Sequence, residues 1–233
     1  MTSAAASVRY EQQDEFAREP VRGLPELLPR GEEMLWQGAP SWRGLAASAY
    51  HARGAAIYFG LLLAWRLGAG LMAGETAASI VMSLLLLTGL AAAAVGTLIM
   101  LAVLAARTTV YTITNRRLVM RIGIALPMTL NLPFKAIVSA SARTHADGTT
   151  DIPLQLGPQH RLAFLILWPH CRPWHLRKPE PMLRRVANGA EVSAILANAL
   201  KAYTLAEAAK GQAVLAPETP DVAHAPVRGT VAA

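Results

Sequence analysis

The densest run of potential metal ligands in the chain is WPHCRPWHLRKP, which carries His170, Cys171 and His175. Imidazole and thiolate together suit zinc, which takes four protein ligands in structural sites, or three plus an open position in catalytic ones. Pro169 and Pro173 interrupt this run and no fourth ligand follows, so it reads as a loop with incidental polar residues. The acid pair Glu32-Glu33 has no base or metal partner nearby. No Gly-x-Ser-x-Gly elbow, phosphate loop, dinucleotide fingerprint or His-Glu-x-x-His occurs. The expectation is a protein with no catalytic residue, no metal and no cofactor, and therefore not an enzyme.

Positive charge is the stronger signal. Arg107, Arg116, Arg117 and Arg121 crowd the stretch RTTVYTITNRRLVMRIG, and residues 107–185 hold twelve Lys/Arg against three Asp/Glu. Near a bilayer each such residue gains about 1 kcal/mol from anionic headgroups. An ordinary solvated face and an interface with an acidic partner account for the same charge, so three readings stand. Nucleic acid is not expected, because neither a stacking surface nor a recognition helix accompanies the charge.

Hydrophobic residues make up 53% of the chain and charged ones 16%, against about 25% charged in an ordinary soluble domain. Between Gly54 and Ala106 the charged residues are Arg66 and Glu75. Gly54–Gly74 covers roughly the 30 Å hydrocarbon core. Thr76–Ala106 is longer than the roughly 20 residues needed, so it must tilt, project, or break near Gly89 or Gly96. The loop between them carries Glu75 and no Lys or Arg, whereas Arg43, Arg53, Arg107, Arg116, Arg117 and Arg121 flank the outer ends. The positive-inside rule then puts both termini in the cytoplasm. The single cysteine fits a reducing compartment. No cleavable signal precedes the first span, which must itself direct insertion.

Arg66 lies about 18 Å into that span, where a charge costs at least about 2.5 kcal/mol. It either snorkels outward beside Trp65 or meets a carboxylate on a partner helix; the second span itself contains no acid. Gly70 and Gly74 fit a small-xxx-small pattern that suits close helix packing, equally with a partner or with a second copy in a homodimer.

The remaining segments divide by pattern. Residues 1–19 and 205–233 read as disordered tails. Residues 20–53 form an N-terminal cytoplasmic segment with a strand at Glu33–Gln37 and an interfacial helical face from Trp42 to Arg53. Residues 54–106 form the membrane hairpin. Residues 107–204 alternate as strands, including RLAFLILWP, and end in an amphipathic helix from Met182 to Tyr203. The fold class is membrane α+β: a two-helix hairpin followed by a small barrel or sandwich closed by a C-terminal helix.

The order of GEEMLWQGAPSW, a two-helix hairpin and YTITNRRLVMRIG resembles the bacterial PH-like membrane proteins, with Tyr111, Thr114, Arg116, Arg117, Leu118 and Gly123 matching their hairpin motif. The block EPVRGLPELLPRGEEMLWQGAPSWRGLAASAYHARGAAIYFGLLLAWR is similar to the PuhB family, assembly proteins of the purple-bacterial photosynthetic reaction centre and its core light-harvesting antenna. That resemblance implies a non-enzymatic assembly factor of the inner, intracytoplasmic photosynthetic membrane, with reaction-centre and antenna subunits and membrane lipids as partners. Trp36, Pro40 and Trp42 are expected to pack the N-terminal segment onto the β domain. In that setting His51 becomes a candidate ligand for bacteriochlorophyll magnesium, although a lone interfacial imidazole is first a polar anchor. The alternative is a general PH-like module that binds anionic lipid without a photosynthetic role. A reporter fused after Ala233 is expected to be active in the cytoplasm, and activity in the periplasm, or extraction by carbonate, contradicts this topology.

Overall fold

The computed structural model describes residues 21–24, 26–159 and 162–215. The tails read as disordered, 1–19 and most of 205–233, lie outside the described residues, except that residues 205–215 continue a helix.

Three helices form the base. Helix α1 (Trp42–Ser48) starts where the Ser41 side chain accepts the Gly44 N–H, satisfying one of the donors a helix start leaves open. Helix α2 (Ala52–Met72) follows directly, and α3 (Ala77–Thr108) returns antiparallel after a turn in which Gly74 adopts a left-handed φ of 65°. Thr76 caps α3 by accepting the Ser79 N–H. Both α2 and α3 are long and apolar enough to cross a membrane, and hardly any of their most apolar stretch is buried by protein. Helix α3 is continuous through Gly89 and Gly96, so no third, partial span forms.

The unequal lengths of the pair have a structural outcome. With 32 residues against 21, α3 extends beyond the start of α2 by about 16 Å at 1.5 Å per residue. This projecting end is buried: Ala102, Ala105 and Ala106 pack against Leu45, Ala46, Ala49 and Tyr50. The face expected to lie at the interface from Trp42 to Arg53 is therefore corrected. Helix α1 stops at Ser48, His51 turns the chain in the left-handed region, and Leu45, Ala49 and Tyr50 face α3 instead of lipid.

Strands β1 (Met34–Gly38), β2 (Val110–Thr114), β3 (Arg117–Ile122) and β4 (Met128–Pro133) form one antiparallel sheet in sequence order. The N-terminal strand enters it through Trp36↔Ile113 and Gly38↔Tyr111, so the segment before the helices belongs to the β domain. In the second sheet β5 (Ile137–Ala140), β6 (Arg143–Thr144) and β8 (Met182–Val186) all pair with β7 (Thr150–Leu156). The sheets do not close into a barrel. Tyr111, Ile113, Leu118, Met120, Ile152, Leu154 and Leu183 fill the core, which α5 (Gly189–Leu215) covers with Val192, Leu196 and Ala199.

Two expected elements change type. RLAFLILWP, read as a strand, contains the single-turn helix α4 (Phe164–Leu167). Met182–Val186, read as the start of the C-terminal helix, is β8, because pairing with β7 buries its whole length and outweighs a spacing of Leu183 and Val186 that also suits a helix.

Gly123, at the start of the β3–β4 connection, has φ of 115°, and a Cβ there would run into the Leu126 carbonyl. Because the obstacle is backbone, a Gly123→Ala chain is expected to lose about 1–3 kcal/mol of stability, seen as a lowered unfolding midpoint of the detergent-solubilised protein.

Candidate functional site

The polar groups of greatest consequence lie where α1, the end of α3 and the β domain meet. Arg184 and Arg185 sit side by side on β8 and are both buried. Successive strand residues ordinarily point to opposite faces. Here the register of β8 shifts against β7 between Thr150 and Ile152, and Arg185 has φ of 50°, so both side chains reach α1. Arg184 donates to the Ser48 carbonyl at 3.1 Å and to the Pro169 carbonyl at 2.8 Å. Arg185 donates to Ser48 Oγ at 3.3 Å and to both oxygens of Asp147 at 3.1 and 3.2 Å. Gly44 makes room, since a Cβ there would press on the Arg185 side chain.

His170 continues the chain of bonds. Its Nδ1 is 2.6 Å from the Tyr111 hydroxyl and its Nε2 is 3.0 Å from Thr109 Oγ1, the residue that caps α3. Tyr111 in turn accepts the Arg184 N–H at 3.2 Å. Burial, aided by the Arg184 charge, pulls the His170 pKa down to about 3, so the imidazole is neutral and donates from one nitrogen while accepting at the other. Burial also raises the Tyr111 hydroxyl and lowers Arg184 from their ordinary values. Below this chain Asp151 accepts the Arg185 N–H at 2.8 Å and pairs with His145 at 2.8 Å. The Thr149 hydroxyl, followed by Arg185, holds the Asp147 carboxyl below its usual value. Asp147 and Asp151 thus bond to one arginine by side chain and by backbone. The arrangement bolts a helix end to a sheet.

The predicted basic residues are dispersed. Arg116 is exposed at the β2–β3 turn, the end of β2 remote from α3. Arg117 is tied at 2.7 Å to buried Glu32, which also accepts from Thr114. Arg121 is half-buried opposite Val110, and Arg107 is exposed at the foot of α3, where its carbonyl accepts from Arg22.

Arg66 finds its partner within the chain, which corrects the expectation of snorkelling or an outside carboxylate. The Glu75 N–H returns to the Gly70 carbonyl, bringing Glu75 back by one helical turn to within 2.6 Å of Arg66. Gly70 is closed against Ile80 of α3 and Gly74 forms the turn, so the expected Gly70–Gly74 docking face is taken up by the hairpin itself. In the N-terminal segment Trp36 packs on the core and Pro40 bridges Val186. Trp42 is exposed instead and carries the Arg43 guanidinium 5.3 Å from its ring. His51 is exposed at the α1–α2 turn. His170 and Cys171 are buried while His175 bonds its own Pro173 carbonyl, and no group of three metal-ligating side chains gathers among the described residues.

Sequence reading missed Arg184, Arg185, His170, Tyr111 and Ser48 as a unit. The available signal was an Arg-Arg pair inside an apolar run with no acid beside it.

These features define a class: two apolar helices followed by a PH-like β domain. A family model described as Bacterial PH domain matches residues 56–200, and the chain belongs to that family. The match begins inside α2 and so omits β1, although β1 pairs with β2. A Rhodobacter capsulatus protein described as an uncharacterized 23.7 kDa protein in the puhA 5′ region is similar at 38% identity over 191 residues, 81% of this chain and 88% of the relative. A more distant likeness is the crystal structure of a Shewanella loihica protein with a pleckstrin-homology domain, with a TM-score of 0.26 and 18% identity over 39% of this chain and 68% of that one.

The depressed His170 pKa fixes a sign. Between pH 6.5 and about 3 the unfolded chain binds a proton that the folded chain refuses, so stability falls as pH falls through this window. The contribution approaches 1.4 kcal/mol per pH unit at most, about one proton's worth. His170→Gln is expected to flatten the slope of unfolding free energy against pH there, even though it lowers stability at neutral pH.

Proposed function

We propose that this protein is a non-enzymatic assembly or scaffolding factor for the photosynthetic reaction centre and core antenna of the inner, intracytoplasmic membrane. Helices α2 and α3 cross the bilayer and both termini lie in the cytoplasm. The observation that carries the reading is the Rhodobacter capsulatus relative, described as lying in the puhA 5′ region and similar over 81% of this chain. The likeness of the Glu19–Arg66 block to the PuhB family points the same way.

The geometry supports a holding role. Gly60, Gly68, Gly89 and Gly96 have open space beside them, leaving close-approach positions on the lipid-facing helix surfaces for other membrane subunits. Thr109, Tyr111 and His170 bond one another and Arg184 bonds two backbone carbonyls, which suits rigidity better than turnover. Exposed Arg107 and Arg116 offer contacts to acidic cytoplasmic surfaces of partners or to anionic headgroups.

Deletion of the gene, followed by near-infrared absorbance of the membranes, tests this directly. Loss of the reaction-centre and core-antenna bands, restored by the gene in trans, is expected. Unchanged bands remove the photosynthetic role and leave a general PH-like lipid module.

A further inference from the structure

Outside α2 and α3, large apolar side chains are exposed most densely in one short region. Leu165 is 86% and Trp174 93% exposed, with Ile166, Trp168 and Leu176 also open. The region is not a misfolded edge: Leu167 and Cys171, between these residues, are anchored in the domain core. Helix α4 therefore has one side in the core and the other turned out. Beyond it, the backbone bond from Arg172 to Glu180 and the ion pair between the same residues at 3.0 Å close an excursion whose tip carries Trp174, Leu176, Arg177 and Lys178.

The position of this region relative to the helices is set by Trp168, together with the bonds of Pro169 and His170 already described. Trp168 meets Tyr50 edge-on, with ring centroids 5.2 Å apart. Tyr50 is itself packed on α3 and lies two residues before α2 begins. Trp168 is thus level with the first turn of α2, where the exposed apolar surface of that helix starts. Tryptophan at such a level has an apolar body and a polar tip that suit the headgroup region, and Trp168 is half exposed there. Arg177 and Lys178 beside them complement anionic lipid.

We propose that residues 164–178 form a second membrane contact, in which Leu165, Ile166, Trp168, Trp174 and Leu176 lie in the headgroup–acyl boundary of the bilayer that α2 and α3 cross. The inference rests on that crossing. The PH-like domain is then held at three places, by the two helices and by this aromatic edge, and its face toward the membrane is defined. The occupant is lipid, since the patch continues the apolar surface of α2 and carries basic residues at its rim.

Depth-dependent quenching tests it on the full chain. Leu165→Cys, Leu176→Cys, Leu61→Cys on α2 and Lys201→Cys on α5 are each labelled with a polarity-sensitive fluorophore. Buried Cys171 in the parent protein reports background labelling. The proteins are placed in phosphatidylcholine–phosphatidylglycerol vesicles carrying nitroxide either near the headgroup or deep in the acyl chain. Most of the signal at positions 165 and 176 is expected to be lost to the shallow nitroxide, that at 61 to the deep one, and none at 201. Quenching at 61 without quenching at 165 and 176 overturns this inference and leaves the proposed function standing. No quenching at 61 overturns the crossing, and this inference with it. Protection of 165 and 176 only in native membranes assigns the patch to a protein partner and also overturns it.

Discussion

The joint between α1, the end of α3 and the β domain depends on a buried arginine that has no carboxylate to pair with directly. Placing a guanidinium out of water is costly unless its donors are met. Arg184 meets most of this need: its two terminal nitrogens donate to the Pro169 and Ser48 carbonyls, its Nε is buried without a partner, and its backbone N–H goes to Tyr111. Each of those groups belongs to a different element, so Arg184, by side chain and backbone together, ties α1, the loop before Cys171, β2 and β8 to one another. His170 extends the same constraint to Thr109 at the end of α3. Because hydrogen-bonded chains in a dry interior reinforce one another and are expensive to leave half-made, the junction behaves as a single unit.

That junction gives α3 two jobs along its length. Its first part has the exposed apolar surface of a membrane helix, and its last part has the small, buried residues of a domain core. Ala102, Ala105 and Ala106 allow α1 to approach closely, and α1 is in turn held by both arginines of β8. The β domain is consequently attached through packed helix and not through a flexible linker. A domain so attached keeps one orientation relative to α3, which suits the holding role proposed above.

Charge behaves differently from its count. Of the basic residues that make residues 107–185 look uniformly positive, Arg184 and Arg185 are buried, Arg117 is held by Glu32, and Arg172 by Glu180. Glu32 lies outside the stretch in which the charges were counted, and so its effect could not enter the count. Among the described residues, what remains exposed is scattered: Arg107 at the foot of α3, Arg116 at the remote β2–β3 turn, Lys135 before β5, Arg143 on β6, and Arg177 and Lys178 beyond α4. The basic residues do not form one broad face.

The sequence alone determined those features that depend on local composition and short periods. Two long apolar runs with Arg66 as their one charge marked the long helices, a two-residue alternation after Arg107 marked sheet, and Asn115-Arg116 marked the turn between β2 and β3. It also marked the strand before the helices, now β1, as structured. Tertiary structure decided whatever required a partner distant in sequence. It sent the excess length of α3 into the domain, joined β1 to β2 across some seventy-five residues of intervening chain, and gave Arg66 its Glu75 through the backward fold of the turn. It made β8 a strand although its apolar spacing also suits a helix. The physical reason is the same in each case: hydrogen bonding and burial between remote segments outweigh local preference, and a single sequence shows which groups need a partner without showing which partner the fold will bring.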